Sequence, residues 1–261
     1  MKIVKGASLL FCLLVCTVWS LFVSPSLVGA ADYSVTVETT AATIGEGATA
    51  NVVTVRLNSP VAAGDQVLVD WRLEEGTAEA PADFTAASGT LTFNEGESEQ
   101  VVSLATQDDT VVEGGESVFV VVENPRYGAG TGILTGGVDT KSVTITDNDT
   151  ATLTITDASA GEESGSLSFT VGVDNAVAGG FTVNVSFADG TATGGTDYDG
   201  SAQTLTFAGM AGESQTLTVP VTNDAIVEGN ETFTVTLAPS TASVAGTTAT
   251  GTITNADTAT L

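Results

Sequence analysis

From residue 34 onward, apolar and polar side chains alternate with a period of two, the spacing that sends successive side chains to opposite faces of a β-strand. Asn51 to Leu57, Val67 to Leu73 and Lys141 to Ile145 show it plainly, with Val or Leu set against polar neighbours. Val and Thr dominate these runs, and Gly, Asp, Asn and Pro clusters separate them. No stretch carries the 3.6-residue period of a useful amphipathic helix. The pattern predicts strands over 34–39, 51–57, 66–73, 90–93, 100–106, 117–123 and 141–147. A second set follows at 152–157, 166–173, 181–188, 203–207, 214–221, 232–237 and 247–254.

The two sets are copies of one unit. Gly76-Thr77-Ala78 with Asp83-Phe84 returns as Gly190-Thr191-Ala192 with Asp197-Tyr198, and Leu91-Thr92-Phe93 returns as Leu205-Thr206-Phe207. Asp109-Thr110-Val111-Val112-Glu113-Gly114-Gly115-Glu116 returns as Asp224-Ala225-Ile226-Val227-Glu228-Gly229-Asn230-Glu231. The first copy carries extra Gly-rich sequence at 128–137, where Tyr127 reads as a loop aromatic capping the core. The modules fall at 32–149 and 150–257, each of roughly 110 residues, a common size for a β-sandwich. Seven short strands per unit predict an all-β fold of two tandem immunoglobulin-like antiparallel sandwiches.

Residues 1–30 read as a signal peptide: Lys2 and Lys5 precede an uncharged apolar run from Ala7 to Val23, and Val28-Gly29-Ala30 offers a cleavage site before Ala31. This predicts a secreted, extracellular or cell-surface protein (periplasmic in a bacterium), with no membrane insertion after cleavage. Both cysteines, Cys12 and Cys16, lie in that leader, so no disulfide is left to staple the secreted part.

Charge narrows the chemistry. The chain has 32 Asp+Glu against 6 Lys+Arg, no His, and a net charge of −26. Without His there is no imidazole base, nucleophile partner or metal ligand. The acidity argues against nucleic-acid partners, which need clustered cations. Strand parity then locates the acids. With successive strands antiparallel, the loops after the odd strands share one pole. In the first copy these carry Glu46, Glu74, Glu75, Glu79, Asp83, Asp108, Asp109, Glu113, Glu116, Asp147 and Asp149. Two bare carboxylates about 4 Å apart cost on the order of 1 kcal/mol in water and several times that near a protein surface. A calcium ion, taking about 6–8 oxygens from flexible loops, reverses that sign, whereas magnesium's rigid octahedron tends to retain water. Val111 and Val112, lying between the acids, are expected to pin that loop to the sandwich edge.

These residues resemble the Calx-beta domains of sodium–calcium exchangers and of many secreted or surface proteins. The matching features are Gly45-Glu46-Gly47, Gly76-Thr77-Ala78 leading to Asp83-Phe84, Gly89 to Phe93 with Gly96-Glu97, Asp108-Asp109 with Val-Val-Glu-Gly-x-Glu, and the closing Thr144-Ile145-Thr146-Asp147-Asn148-Asp149. The order holds in both copies. The resemblance implies Ca²⁺ in the acidic end loops. Carried over by position, the ligands are Glu46, Asp83, Asp108, Asp109, Glu113, Glu116, Asp147 and Asp149, with Glu74, Glu75 and Glu79 left solvated or in supporting roles. In the second copy they are Glu162 or Glu163, Asp197, Asp224, Glu228, Glu231 and Asp257. There Asn223 replaces Asp108 and Asn255 replaces Asp147; each keeps a carbonyl but loses a charge, so a weaker site is expected.

The expected function is a non-enzymatic, calcium-binding module pair for adhesion, cell-surface display or cell communication, its metal stiffening the joint between modules. A carboxylate-based secreted hydrolase is the alternative, but the single tryptophan beyond the leader, Trp71, sits mid-strand and reads as core rather than sugar platform. A cadherin-like adhesion module shares the calcium chemistry but would need a Leu-Asp-Arg-Glu-type motif. The last residues, Asp257-Thr258-Ala259-Thr260-Leu261, repeat Asp149-Thr150-Ala151-Thr152-Leu153. Residues 258–261 therefore read as the possible start of a further repeat, making further Calx-beta repeats or cell-surface and matrix molecules the expected partners.

Overall fold

The computed structural model describes residues 31–255 with Asp257 and Thr258; the expected leader, and the tail beyond Thr258, lie outside the described residues. The first half contains β1 (Tyr33–Thr39), β2 (Thr43–Gly45), β3 (Thr49–Leu57), β4 (Gln66–Glu75), β5 (Ser88–Phe93), β6 (Glu99–Ala105), β7 (Glu116–Ala129), β8 (Leu134–Gly136) and β9 (Asp139–Thr146). The second contains β10 (Ala151–Ile155), β11 (Ala158–Gly161), β12 (Ser166–Val173), β13 (Phe181–Asp189), β14 (Gln203–Phe207), β15 (Ser214–Pro220), β16 (Glu231–Pro239), β17 (Val244–Ala245) and β18 (Thr248–Thr254).

Each half is a sandwich. Sheets ordered β6-β3-β1-β8 and β2-β9-β7-β4-β5 make the first, and β15-β12-β10-β17 and β11-β18-β16-β13-β14 make the second. Inward-facing Val35, Val55 and Leu57 meet Val67, Val69, Val118, Val120 and Ile145 in the first core. A bulge between Asn51 and Val53 breaks the alternation, which is why Val52 and Val53 are both buried. Trp71 packs, partly buried, against this core. Tyr127 lies on β7 rather than in a loop, because the Gly-rich segment prolongs that strand to Ala129.

One cross-strand pair shows the two cores trading volume. Val118 faces Val143 in the first module, and the same site in the second pairs Phe233 with Gly251. A Cβ on Gly251 would lie 2.4 Å from Cζ of Phe233, whose ring stacks on Tyr198 at 4.2 Å. Gly251→Val is therefore expected to destabilise the second module by about 1–3 kcal/mol through overpacking. Gly251→Val with Phe233→Val recreates the first module's pair and should recover part of the loss in chemical denaturation. Equal stability of wild type and Gly251→Val would contradict this packing account.

Four short strands, β2, β8, β11 and β17, escape the sequence pattern, and two of them, β2 and β11, set up the acidic pole. After β1 the chain crosses between sheets, and β2 runs parallel to β9 with Gly45 level with Thr146. In the second module β11 runs parallel to β18, with Gly161 level with Thr254. Parallel strands in register end side by side, so Glu46 emerges beside Asp147 and Glu162 beside Asn255. The antiparallel pairings of β4 with β7, β3 with β6 and β7 with β9 bring the ends of β4 and β6 to that same tip.

Candidate metal centre

Backbone contacts gather the first module's acidic loops. Glu46 N–H donates to Thr146 O (3.2 Å), Gly47 N–H to Gln107 O (3.1 Å) and Gln107 N–H to Asp83 O (2.8 Å). Buried Thr106 ties down the turn around Glu46, donating to Gly45 O at 2.8 Å and accepting from Ala48 N–H at 3.0 Å. Gly47 has φ +65°, and a Cβ there would lie 3.0 Å from the Asp108 Cβ. Glycine therefore provides both the left-handed turn and the room for Asp108.

Two carboxylate trios result. Glu46, Asp147 and Asp149 present oxygens all within 4.8 Å of one another, and Asp83, Glu113 and Glu116 do the same. Hydrogen bonds hold the first trio in place: Asp147 accepts from the N–H groups of Glu113 and Asp149, each at 2.9 Å. Asp108 and Asp109 stand outside both trios but beside them. Asp108 accepts from Asn148 Nδ2 at 3.1 Å, and Asp109 turns its loop by accepting from Val111 N–H at 2.7 Å. Glu46 Oε2 and Asp149 Oδ2 are buried with no hydrogen-bond partner, and an unsatisfied buried carboxylate oxygen is costly.

The basic side chains beyond the leader are all engaged elsewhere. Arg56 pairs with Glu38 and Glu99, Arg72 with Glu74 and Glu123, Arg126 with Asp70 and Lys141 with Asp139. Glu74 is thus neutralised by Arg72. Glu75 staples its own loop, accepting from Ala80 N–H at 3.0 Å, and Glu79 belongs to neither trio.

The crowding shows in the protonation of the acids. Burial, then the charges of Asp147, Asp109 and Asp149, push Glu46 up to about 7. Burial, then a hydrogen bond and repulsion from Asp83, push Glu116 to about 7 as well. Burial and neighbouring carboxylates also raise Glu113 and Asp149. Two trios made only of oxygen and flexible in denticity, the first holding two orphaned buried atoms, fit calcium.

A sign for pH dependence follows. Unfolding returns Glu46 and Glu116 from about 7 to their ordinary 4.5, so between those values the folded, metal-free chain binds more protons than the unfolded one. That contribution to stability is complete below pH 4.5 and is lost as pH rises through 7. In EDTA the protein should melt at higher temperature at pH 5 than at pH 8. Millimolar calcium should reverse the order, because protons and metal compete for the same oxygens. A melting temperature in EDTA that rises from pH 5 to pH 8 would contradict this.

The second module repeats the design with fewer charges. Glu162, Asp224 and Glu228 form one trio, and Asp197, Glu228 and Glu231 the other, so Glu228 serves both. The register of β11 against β18 selects Glu162, which is buried; Glu163 belongs to neither trio. Asp257 N–H donates to Asn255 Oδ1 at 2.6 Å, matching the Asp149–Asp147 turn, and Asp257 Oδ2 is a further buried orphan. Asn223, in the place of Asp108, contributes no carboxylate. Burial and repulsion raise Glu228 and Glu231.

The expectation for Val111 and Val112 is corrected. Val112 is pinned not to the edge of its own sandwich but to the second module. Its N–H donates to Ala176 O and its carbonyl accepts from Ala178 N–H, each at 2.9 Å, in a parallel bridge with Val177. It is 3% exposed and belongs to the second core. A Val between two acids reads alike whichever sandwich covers it, so no sequence signal distinguished the two.

The Calx-beta domain family model matches residues 30–149 and again 145–258. The chain belongs to the Calx-beta family. Mouse sodium/calcium exchanger 1 is 33% identical over 94 residues, 35% of this chain and 10% of the exchanger. Rat sodium/calcium exchanger 2 is 36% identical over 66 residues, 25% of this chain and 7% of the exchanger. The matched part of this chain thus spans about a tenth or less of those relatives. Among solved structures, the apo-form Calx CBD1 domain is 26% identical, covering 45% of this chain and 98% of that one, with a TM-score of 0.39. CBD12 from CALX1.2 is 22% identical, covering 84% and 99%, with a TM-score of 0.39. In this tandem Calx-beta chain, both acidic tips are assembled from the ends of the same four kinds of strand.

Proposed function

We propose that this protein is a secreted or cell-surface calcium-binding strut. In this reading two Calx-beta domains are stacked in series, and calcium neutralises each acidic tip and stiffens the joint between them. The observation that carries it is the place of Val112. Asp109 and Glu113 lie within three residues of it in the acidic loop, while its side chain and backbone engage the second module. Metal that orders this loop holds the peg, and through it the angle between modules, so that binding and domain coupling are one equilibrium. Extracellular modules bind calcium at about 10⁻⁴–10⁻³ M, which makes this a constitutive support rather than a sensor. Matrix or cell-surface molecules, and further Calx-beta repeats, are the partners such a strut would space apart. Its role is mechanical rather than catalytic.

Small-angle scattering tests the reading. Calcium should give a longer particle with a narrower size distribution than EGTA gives, and identical profiles in both conditions would overturn it. Titration calorimetry orders the two sites. Neutralising the second module with Asp224→Asn and Glu228→Gln should leave the tighter calcium events, and neutralising the first with Asp147→Asn and Asp149→Asn should leave the weaker ones. The opposite order would overturn the ranking.

A further inference from the structure

The peg at the joint has a twin that stands exposed among the described residues. Val227 occupies in the second module the position of Val112 in the first, and the same turn opens both loops: Ile226 N–H donates to Asp224 Oδ1 at 2.7 Å, as Val111 N–H does to Asp109 Oδ1. Yet Val227 is 53% exposed and Ile226 59%, two adjacent branched apolar side chains at the tip of a very acidic module.

The seat is repeated too, and the two copies fill it differently. Ala176-Val177-Ala178, which receives Val112, corresponds to Pro60-Val61-Ala62 in the first module. The Ala178 N–H binds the Val112 carbonyl, whereas the Ala62 N–H donates to the Tyr33 hydroxyl at 2.8 Å. Tyr33 is 2% exposed and lies 6.0 Å, centroid to centroid, from Tyr127. Strand register aligns Tyr33 with Ala151, because Val35 pairs with Leu57 as Leu153 pairs with Val173. A large side chain at this position plugs the seat from within, and a small one leaves room for a peg from the preceding module.

We propose that the Ile226–Val227 tip is a docking surface for a further Calx-beta domain, one that carries a small residue where the first module carries Tyr33. The sequence after the second module matches this rule, since Asp257-Thr258-Ala259 repeats Asp149-Thr150-Ala151 and sets Ala259 in the place of Ala151. A second copy of the chain has no free seat: Tyr33 fills one and its own Val112 fills the other. Assembly is therefore directional, with Tyr33 closing one end and Val227 open at the other. This inference rests on the proposed coupling of modules in series through the acidic tip.

The test appends a second copy of residues 150–257 directly after Asp257 and follows amide hydrogen exchange in millimolar calcium. The Val227 amide, which has no hydrogen-bond partner among the described residues, should slow by about 100-fold in the extended chain. Val227→Asp should abolish the gain, and so should Tyr in place of the appended copy's alanine corresponding to Ala151. A Val227 amide that exchanges equally fast with and without the added module, while the Val112 amide stays protected, would overturn the docking surface alone. Fast exchange at Val112 as well would overturn the series coupling beneath it. An appended copy that stays unfolded on this tip also counts against docking, since the same residues fold behind Val112. Self-association of the unextended chain in sedimentation would overturn the exclusion of a second copy.

Discussion

Adding 10 mM calcium to EDTA-treated protein at pH 7.5 is expected to raise the first module's melting temperature by roughly 10 °C or more. A ligand that binds only the folded state contributes RT ln(1 + [L]/Kd), which is about 2.7 kcal/mol per site at a hundredfold excess over Kd. For a domain of roughly 100 residues each kcal/mol is worth about 4–8 °C. Two trios per tip allow more than one ion. The gain has a specific origin: calcium supplies the partner that buried Glu46 Oε2 and Asp149 Oδ2 lack, and it offsets the burial and the carboxylate repulsion that together hold Glu46 and Glu116 near 7. Glu46→Gln with Asp149→Asn should therefore raise the melting temperature in EDTA while abolishing most of the calcium response. Scanning calorimetry of both proteins in both conditions makes the comparison. An unchanged melting temperature for the wild type would leave the acids as solvent-facing decoration.

Val112→Asp should have the second largest effect, and it should fall on the module that does not contain the substitution. Val112 contributes its side chain to the second core and two backbone hydrogen bonds to the Ala176–Ala178 edge. An aspartate there would undock the loop, forfeiting about 1.5 kcal/mol of burial and about 1 kcal/mol for each hydrogen bond. The second module should lose roughly 2–4 kcal/mol and the first almost nothing, because no part of the first core includes Val112. The joint should also loosen, so that scattering in calcium resembles that of the wild type in EGTA. Destabilisation confined to the first module, with the joint unchanged, would show that Val112 does no more than order its own loop.

The chain's local pattern carried most of the architecture. Strands such as β12 and β16 each put one face into a core, so apolar residues had to alternate with Ser or Thr in the sequence. The concentration of acids at one end was legible for a related reason: antiparallel order alone sends alternate loops to opposite tips. Tyr127 was misplaced because a glycine-rich run looks like loop even where pairing with β4 prolongs the strand.

Other features depended on partners distant in sequence. The strands β2, β8, β11 and β17, of two to four residues, are too short to show a period and exist only because another edge accepts them. Through β2 and β11 they select which acids meet: Glu162 rather than Glu163, and Glu46 with Asp147 and Asp149 rather than with Asp108. The cover over Val112 lies in the second module, and the exposure of Val227 among the described residues could be judged only against that joint. Side-chain chemistry and alternation are properties of the chain itself, so they could be read from it directly. Register between edges and contact between modules belong to pairs of surfaces, and these exist only once both have folded.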